Sequence, residues 1–96
     1  MSAYIVASVE ITDHAAYEEY RQRVPAVIAA YGGRYLARGG AVQRLEGDVP
    51  INNRLVILEF PGMEQLKAFY NSAEYQPLLA IRQRAAKSKL LAVEGV

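Results

Sequence analysis

The chain has 96 residues, with eleven Lys and Arg against ten Asp and Glu, no cysteine and a net charge of +1. Such a length suits one domain, expected to span residues 1–96; the balanced charge leaves no basic footprint for nucleic acid, and the missing cysteine excludes disulfides, thiol nucleophiles and thiolate-held metals. No apolar run approaches the roughly 18 residues of a membrane span, and no basic segment leads into an apolar one at the start, so a cytoplasmic protein away from membranes is expected.

Tyr4 to Ile11 is β-rich, with Ile5, Ala7, Val9 and Ile11 on one face and Tyr4 and Val6 making the other partly apolar. Asp13 suits a helix N-cap. From His14, Tyr17, Tyr20, Val24, Val27, Ile28 and Tyr31 recur at helical spacing, and Pro25 predicts a kink or break. Gly32 and Gly33 then suit a helix C-cap and the turn into a strand.

Arg34 to Arg38 reads as a second strand, bulged at Gly39–Gly40 and resumed over Ala41 to Glu46. Arg34, Arg38 and Arg44 would protect an exposed edge. Gly47 to Asn53 is dense in turn formers and reads as a hairpin loop. Arg54 to Phe60 carries four consecutive apolar residues, which predicts a central strand.

Met63, Leu66, Phe69 and Tyr70 mark a second helix ending near Asn71, and Ser72 reads as a fresh N-cap. Pro77 opens a further helix with Leu78, Ile81 and Ala85 on its inner face. Arg82, Arg84, Lys87 and Lys89 read as its solvated, basic end. Leu90 to Val93 completes the order as a short last strand.

The order β-α-β-β-α-β is the ferredoxin-like arrangement of the α+β class, a four-stranded antiparallel sheet with helices on one face. Its other face keeps Tyr4, Val6 and one register of Leu55–Leu58 without a partner. Burying each Val, Leu or Ile contributes about 1.5–3 kcal/mol, so a homodimer through that open face is expected.

Tyr31-Gly32-Gly33-Arg34-Tyr35-Leu36-Ala37-Arg38-Gly39-Gly40, Glu46-Gly47, Glu59-Phe60-Pro61 and Tyr70-Asn71-Ser72-Ala73-Glu74-Tyr75 together resemble the hallmarks of domain-of-unknown-function family thirteen-thirty, over nearly the whole chain. The resemblance implies the dimeric α/β-barrel superfamily, in which two ferredoxin-like sheets pair face to face. Its relatives include cofactor-independent monooxygenases, haem-degrading enzymes, lactone isomerases and ligand-sensing domains, and kinship of fold does not assign a function.

His14 is the only histidine and reads as a solvated surface residue; with no other ligand near it, neither a metal nor a haem is expected. Glu59 closes an apolar strand, where burial would raise its pKa toward a useful base, the other reading being a carboxylate paired to an arginine. Arg38, beside Gly39–Gly40, would clamp a carboxylate or enolate, or else bridge to Glu59. Tyr17, Tyr70 and Tyr75 would orient a ligand. These five residues form the expected site, in a pocket between sheet and helices near the dimer seam, with Glu59 and Arg38 catalytic and the tyrosines substrate-binding. Two functions compete: a cofactor-independent enzyme acting on a small organic molecule, and a non-catalytic binding or assembly module. A cavity of roughly 300 Å³ or more beside Arg38 and Glu59 favours the first, and a solid interior there favours the second.

Overall fold

The computed structural model describes residues 1–96 and shows seven elements: β1 (Ala3–Ile11), α1 (His14–Ala30), β2 (Arg34–Arg38), β3 (Arg54–Phe60), α2 (Met63–Tyr70), α3 (Gln76–Ala85) and β4 (Ala86–Glu94). The strands form one antiparallel sheet in the order β2-β3-β1-β4, so β3 is central as its apolar run predicts, and β1 is central beside it. The molecule is 16 Å across its shortest axis, room for one sheet and one helical layer.

Strand alternation sorts the two faces. Ala3, Ile5, Ala7 and Val9 of β1 and Val56, Leu58 and Phe60 of β3 turn toward the helices and are buried. Helix α1 contributes Tyr17, Val24 and Ile28, and the shorter helices contribute Leu66, Phe69, Leu78, Ile81 and Ala85. On the other face Ala37, Ile57, Val6 and Leu91 stand in one row across all four strands. Leu91 is 73 % and Val93 50 % exposed, so this row has no cover within the chain.

The caps follow the sequence. Asp13 Oδ1 accepts a hydrogen bond from the Ala16 amide at 3.1 Å. At the far end of α1 the Gly32 and Gly33 amides donate to the Ala29 and Ile28 carbonyls, with Gly32 at φ +79°. Ser72 Oγ donates to the Phe69 carbonyl at 2.8 Å and accepts from the Tyr75 amide at 3.1 Å, pinning the turn between α2 and α3 and setting Tyr75 into the core.

Four details differ from the sequence expectations. Of the kink or break expected at Pro25, the break does not occur, and helix α1 is continuous from His14 to Ala30; the ring removes a donor from the Arg21 carbonyl, and the Arg38 guanidinium supplies another at 2.8 Å. The strand does not resume over Ala41 to Glu46: Gly39, at φ +70°, gives its amide to the Leu55 carbonyl and turns the chain off the ladder into a loop that lasts to Asn53. The bulge falls at Leu36 rather than at the glycines. Strand β4 starts at Ala86, directly after α3, because the Ala85 carbonyl is held by the Thr12 and Asp13 amides and the Thr12 hydroxyl at 2.8, 2.9 and 3.0 Å.

Gly33 is a packing constraint. A Cβ there would lie 2.6 Å from Phe60 and 2.8 Å from Ile28, both core residues. Gly33→Ala is therefore expected to destabilise the fold by about 1–3 kcal/mol, read as a lowered urea midpoint with unchanged slope.

Candidate functional site

The bulge at Leu36 decides which arginines look inward. Arg34 pairs with Glu59 on the open face and Tyr35 with Leu58 on the helix side. In an unbroken register Arg38 would stand opposite Leu55 and share the open face. With one residue inserted it stands opposite Val56 and points toward α1. There its Nη2 reaches the Arg21 carbonyl, and its guanidinium lies 4.5 Å from the centre of the Tyr35 ring.

Behind Arg38 lies a chamber between sheet and helices, walled by Tyr17 and Tyr20 of α1, Tyr35 of β2, Arg54 of β3 and Tyr75 and Arg82 of the α3 region. The Tyr20 and Tyr75 hydroxyls share a hydrogen bond of 2.8 Å, and Arg82 Nε approaches the Tyr75 hydroxyl at 3.4 Å. The Arg54 guanidinium lies 5.9 Å from the centre of the Tyr17 ring, and its buried Nε has no partner. Burial pushes the Tyr17, Tyr20 and Tyr35 hydroxyls above their ordinary range, with Arg54 and Arg38 pulling Tyr17 and Tyr35 part of the way back. These three are neutral at physiological pH, suited to donate hydrogen bonds rather than to act as bases.

The enclosed space is about 40 Å³, room for roughly one water. A much larger cleft of about 1090 Å³ opens under the loop after Gly39, beside Glu10, His14, Lys87 and Ser88. Arg54 lines both spaces. Its side chain crosses Gly39, where any Cβ would overlap the guanidinium.

The expected five residues divide. Arg38, Tyr17 and Tyr75 meet in the chamber. Tyr70 packs with its ring 5.8 Å from Tyr75 but faces a separate cleft between α2 and β4. Glu59 does not join them. The pleat puts it on the opposite face of the sheet, where Arg34 Nε and Nη2 both reach its Oε1 at 2.7 Å. Those bonds hold its pKa below the usual carboxylate value, the reverse of the expected rise, and the expected bridge to Arg38 is replaced by one to Arg34. No cavity of 300 Å³ borders both Arg38 and Glu59; the larger space lies elsewhere, in the loop-side cleft. His14 is exposed beside that cleft, and no three His, Asp or Glu side chains gather as a metal-ligand set.

Sequence reasoning missed Tyr20, Tyr35, Arg54 and Arg82. Arg82 is 5 % exposed, although its basic neighbours suggest a solvated helix end. Its position carries the signal: Leu78, Ile81, Arg82 and Ala85 follow the i, i+3, i+4, i+7 spacing of a buried stripe.

The ion pairs set an acid response. Arg21 holds Glu18 at about 2, and Arg34 and the Tyr31 hydroxyl hold Glu59 and Glu74 below their unfolded value of 4.5. A depressed folded pKa gives stability that is complete above the unfolded value and lost as pH falls through the folded one. Melting temperature should therefore decline below about pH 4.5, and Glu59→Gln should make that decline shallower than in the wild type.

A protein of unknown function from Rhodopseudomonas palustris is 19 % identical, with TM-score 0.78 over 99 % of this chain and 82 % of that one. SnoaB, a cofactor-independent oxygenase from Streptomyces nogalater, is 12 % identical, with TM-score 0.71 over 99 % of this chain and 93 % of its own. A dimeric ferredoxin-like protein of unknown function from Jannaschia sp. CCS1 is 12 % identical, with TM-score 0.67 over 99 % and 100 %. Such distant likenesses establish the ferredoxin-like fold and nothing finer. No curated protein matches the sequence. The family model described as Domain of unknown function (DUF1330) matches residues 2–96, and the chain belongs to that family.

Proposed function

We propose that the protein is a homodimer, joined through the open sheet face, that binds a small organic molecule in the chamber and converts it without a cofactor. The observation that carries the reading is the hydrogen-bonded Tyr20–Tyr75 pair with Arg82 beside it, set inside an otherwise apolar layer. A polar network there adds less to stability than close apolar packing would, so its presence is better explained by a ligand that uses it. The aromatic walls suit a flat ring, Arg38 stands at the edge on the α1 side, and Tyr17 and Tyr75 supply hydroxyls. Glu59, outside the chamber, is assigned to the Arg34 pair at the dimer seam.

SnoaB supports a cofactor-independent oxygenation as the reaction class, and the dimeric neighbour supports self-association. The Ala37–Ile57–Val6–Leu91 row gives the association its apolar centre.

One observation favours the second reading, a non-catalytic binding or assembly module: the enclosed space of about 40 Å³ admits a ligand only if side chains move. Oxygen uptake separates the two. Wild type mixed with a panel of phenols and naphthols should consume oxygen, and Tyr75→Phe should reduce the rate at least tenfold while Arg38→Ala weakens binding and leaves the dimer intact. Binding without uptake across the panel selects the module. Sedimentation at micromolar concentration should show a dimer for the wild type and for Tyr75→Phe, and a monomer for Ile57→Lys. A wild-type monomer would overturn the assembly.

A further inference from the structure

We infer that the chamber's ligand is a small organic carboxylate on a flat, unsaturated body, with its charge held by Arg82 and Arg54; the inference rests on the small-molecule reading above. The charge inventory is one-sided. Four arginines line the chamber, Arg21, Arg38, Arg54 and Arg82, and no Asp, Glu, Lys or His joins them. Two of the four are already satisfied. Arg21 is bound by Glu18, and Arg38 donates to the Arg21 carbonyl.

Arg38 has no anion either, but it is exposed to solvent; Arg54 and Arg82 have no counter-charge and reach the chamber's interior. The ion pairs of the chain are Arg21–Glu18, Arg23–Glu19 and Arg34–Glu59, and neither Arg54 nor Arg82 appears among them. Glu18, whose charge Arg54 feels, spends its oxygens on Arg21 and Gln22. Arg82 is 5 % exposed and its one hydrogen bond is the long contact to the Tyr75 hydroxyl at 3.4 Å. Arg54 Nε is fully enclosed and unpartnered. A buried cation without an anion, as at Arg82, is unfavourable, Arg54 is half-buried with its Nε enclosed, and the guanidinium fork matches a carboxylate through two parallel hydrogen bonds. Phosphate dianions fit less well, because the walls between the arginines are tyrosine rings and Val56, Leu58 and Phe69.

Access has a route. Arg54 separates the chamber from the open cleft, and Gly39 leaves the space through which its side chain passes. The chamber holds about 40 Å³ as it stands, so the inference requires that one long side chain to rotate, joining the two volumes and carrying a guanidinium along with the incoming anion.

The test is thermal melting with benzoate and cinnamate against benzamide and cinnamamide, at matched ionic strength, on the wild-type dimer and on Arg82→Met and Arg54→Met. Circular dichroism checks that each variant folds. The acids should raise the wild-type melting temperature by several degrees, the amides should not, and the rise should vanish in both variants. Without ligand Arg82→Met should melt at or above the wild type, because an apolar side chain replaces an uncompensated buried charge, and Arg54→Met, at a half-buried position, should melt close to it. An equal rise from acids and amides overturns the charge assignment and leaves the chamber as a binding site. No rise from any compound overturns both. Variants that melt well below the wild type without ligand show the arginines to be structural, and that outcome also overturns the inference.

Discussion

A single inserted residue governs the chemistry of both faces of this sheet. Leu36 interrupts the β2–β3 register, and because side chains alternate with period two, everything after it changes sides. Arg34 and Arg38, four residues apart, would share a face in a regular strand. Here one meets Glu59 on the outer face and the other meets α1 on the inner. The bulge is supported on the helix side as well. Pro25 leaves the Arg21 carbonyl without its helical donor, and Arg38 reaches it only from the position the bulge provides. A helix irregularity and a strand irregularity thus satisfy one another.

The inward turn of Arg38 extends a polar layer that the core does not need. Rings run from Phe60 through Phe69 and Tyr75 to Tyr20 with neighbouring centres 4.5 to 6.3 Å apart, and the apolar end of this chain belongs to the hydrophobic core. At its polar end the hydroxyls, Arg82 and Arg54 meet. The turn locked by Ser72 fixes Tyr75, and the helical stripe of α3 fixes Arg82, so the groups sit on rigid elements rather than on the long loop. Placement of that kind limits side-chain freedom before any ligand arrives, which reduces the ordering cost of binding.

The fold was legible because its signals were local and repeated: the Asp13 cap, the Gly32–Gly33 ending, the four-residue apolar run of β3 and the order of elements. The site was legible only in part. Tyr17, Tyr75 and Arg38 could be placed near one another from element order, but Glu59 could not be assigned a face without the register. The bulge at Leu36 has no glycine to announce it, whereas Gly39 and Gly40 attracted the expectation by composition. Gly39 instead serves the turn off the ladder and the passage of Arg54. Arg82 was hidden by its neighbours: a run of basic residues suggests solvent, and only the helical spacing reveals that one of them points inward.

The separation of the two faces has a further consequence for how the molecule can be taken apart. Val6, Ile57 and Leu91 stand on the open face, while the chamber is lined by residues that face the helices from the same strands. Each central strand therefore serves both faces at alternate positions, Ile57 outward between Val56 and Leu58 inward. A shift of register in β3 would damage both at once, but a substitution at one position touches one. Arg54 is the exception, since it begins β3, borders both the chamber and the loop-side cleft, and lies beside the Tyr17 ring with its Nε unpartnered. Two features leave its guanidinium without an ion pair: the ladder ends at Gly39, and the carboxylate whose charge it feels, Glu18, is bonded to Arg21 and Gln22 instead.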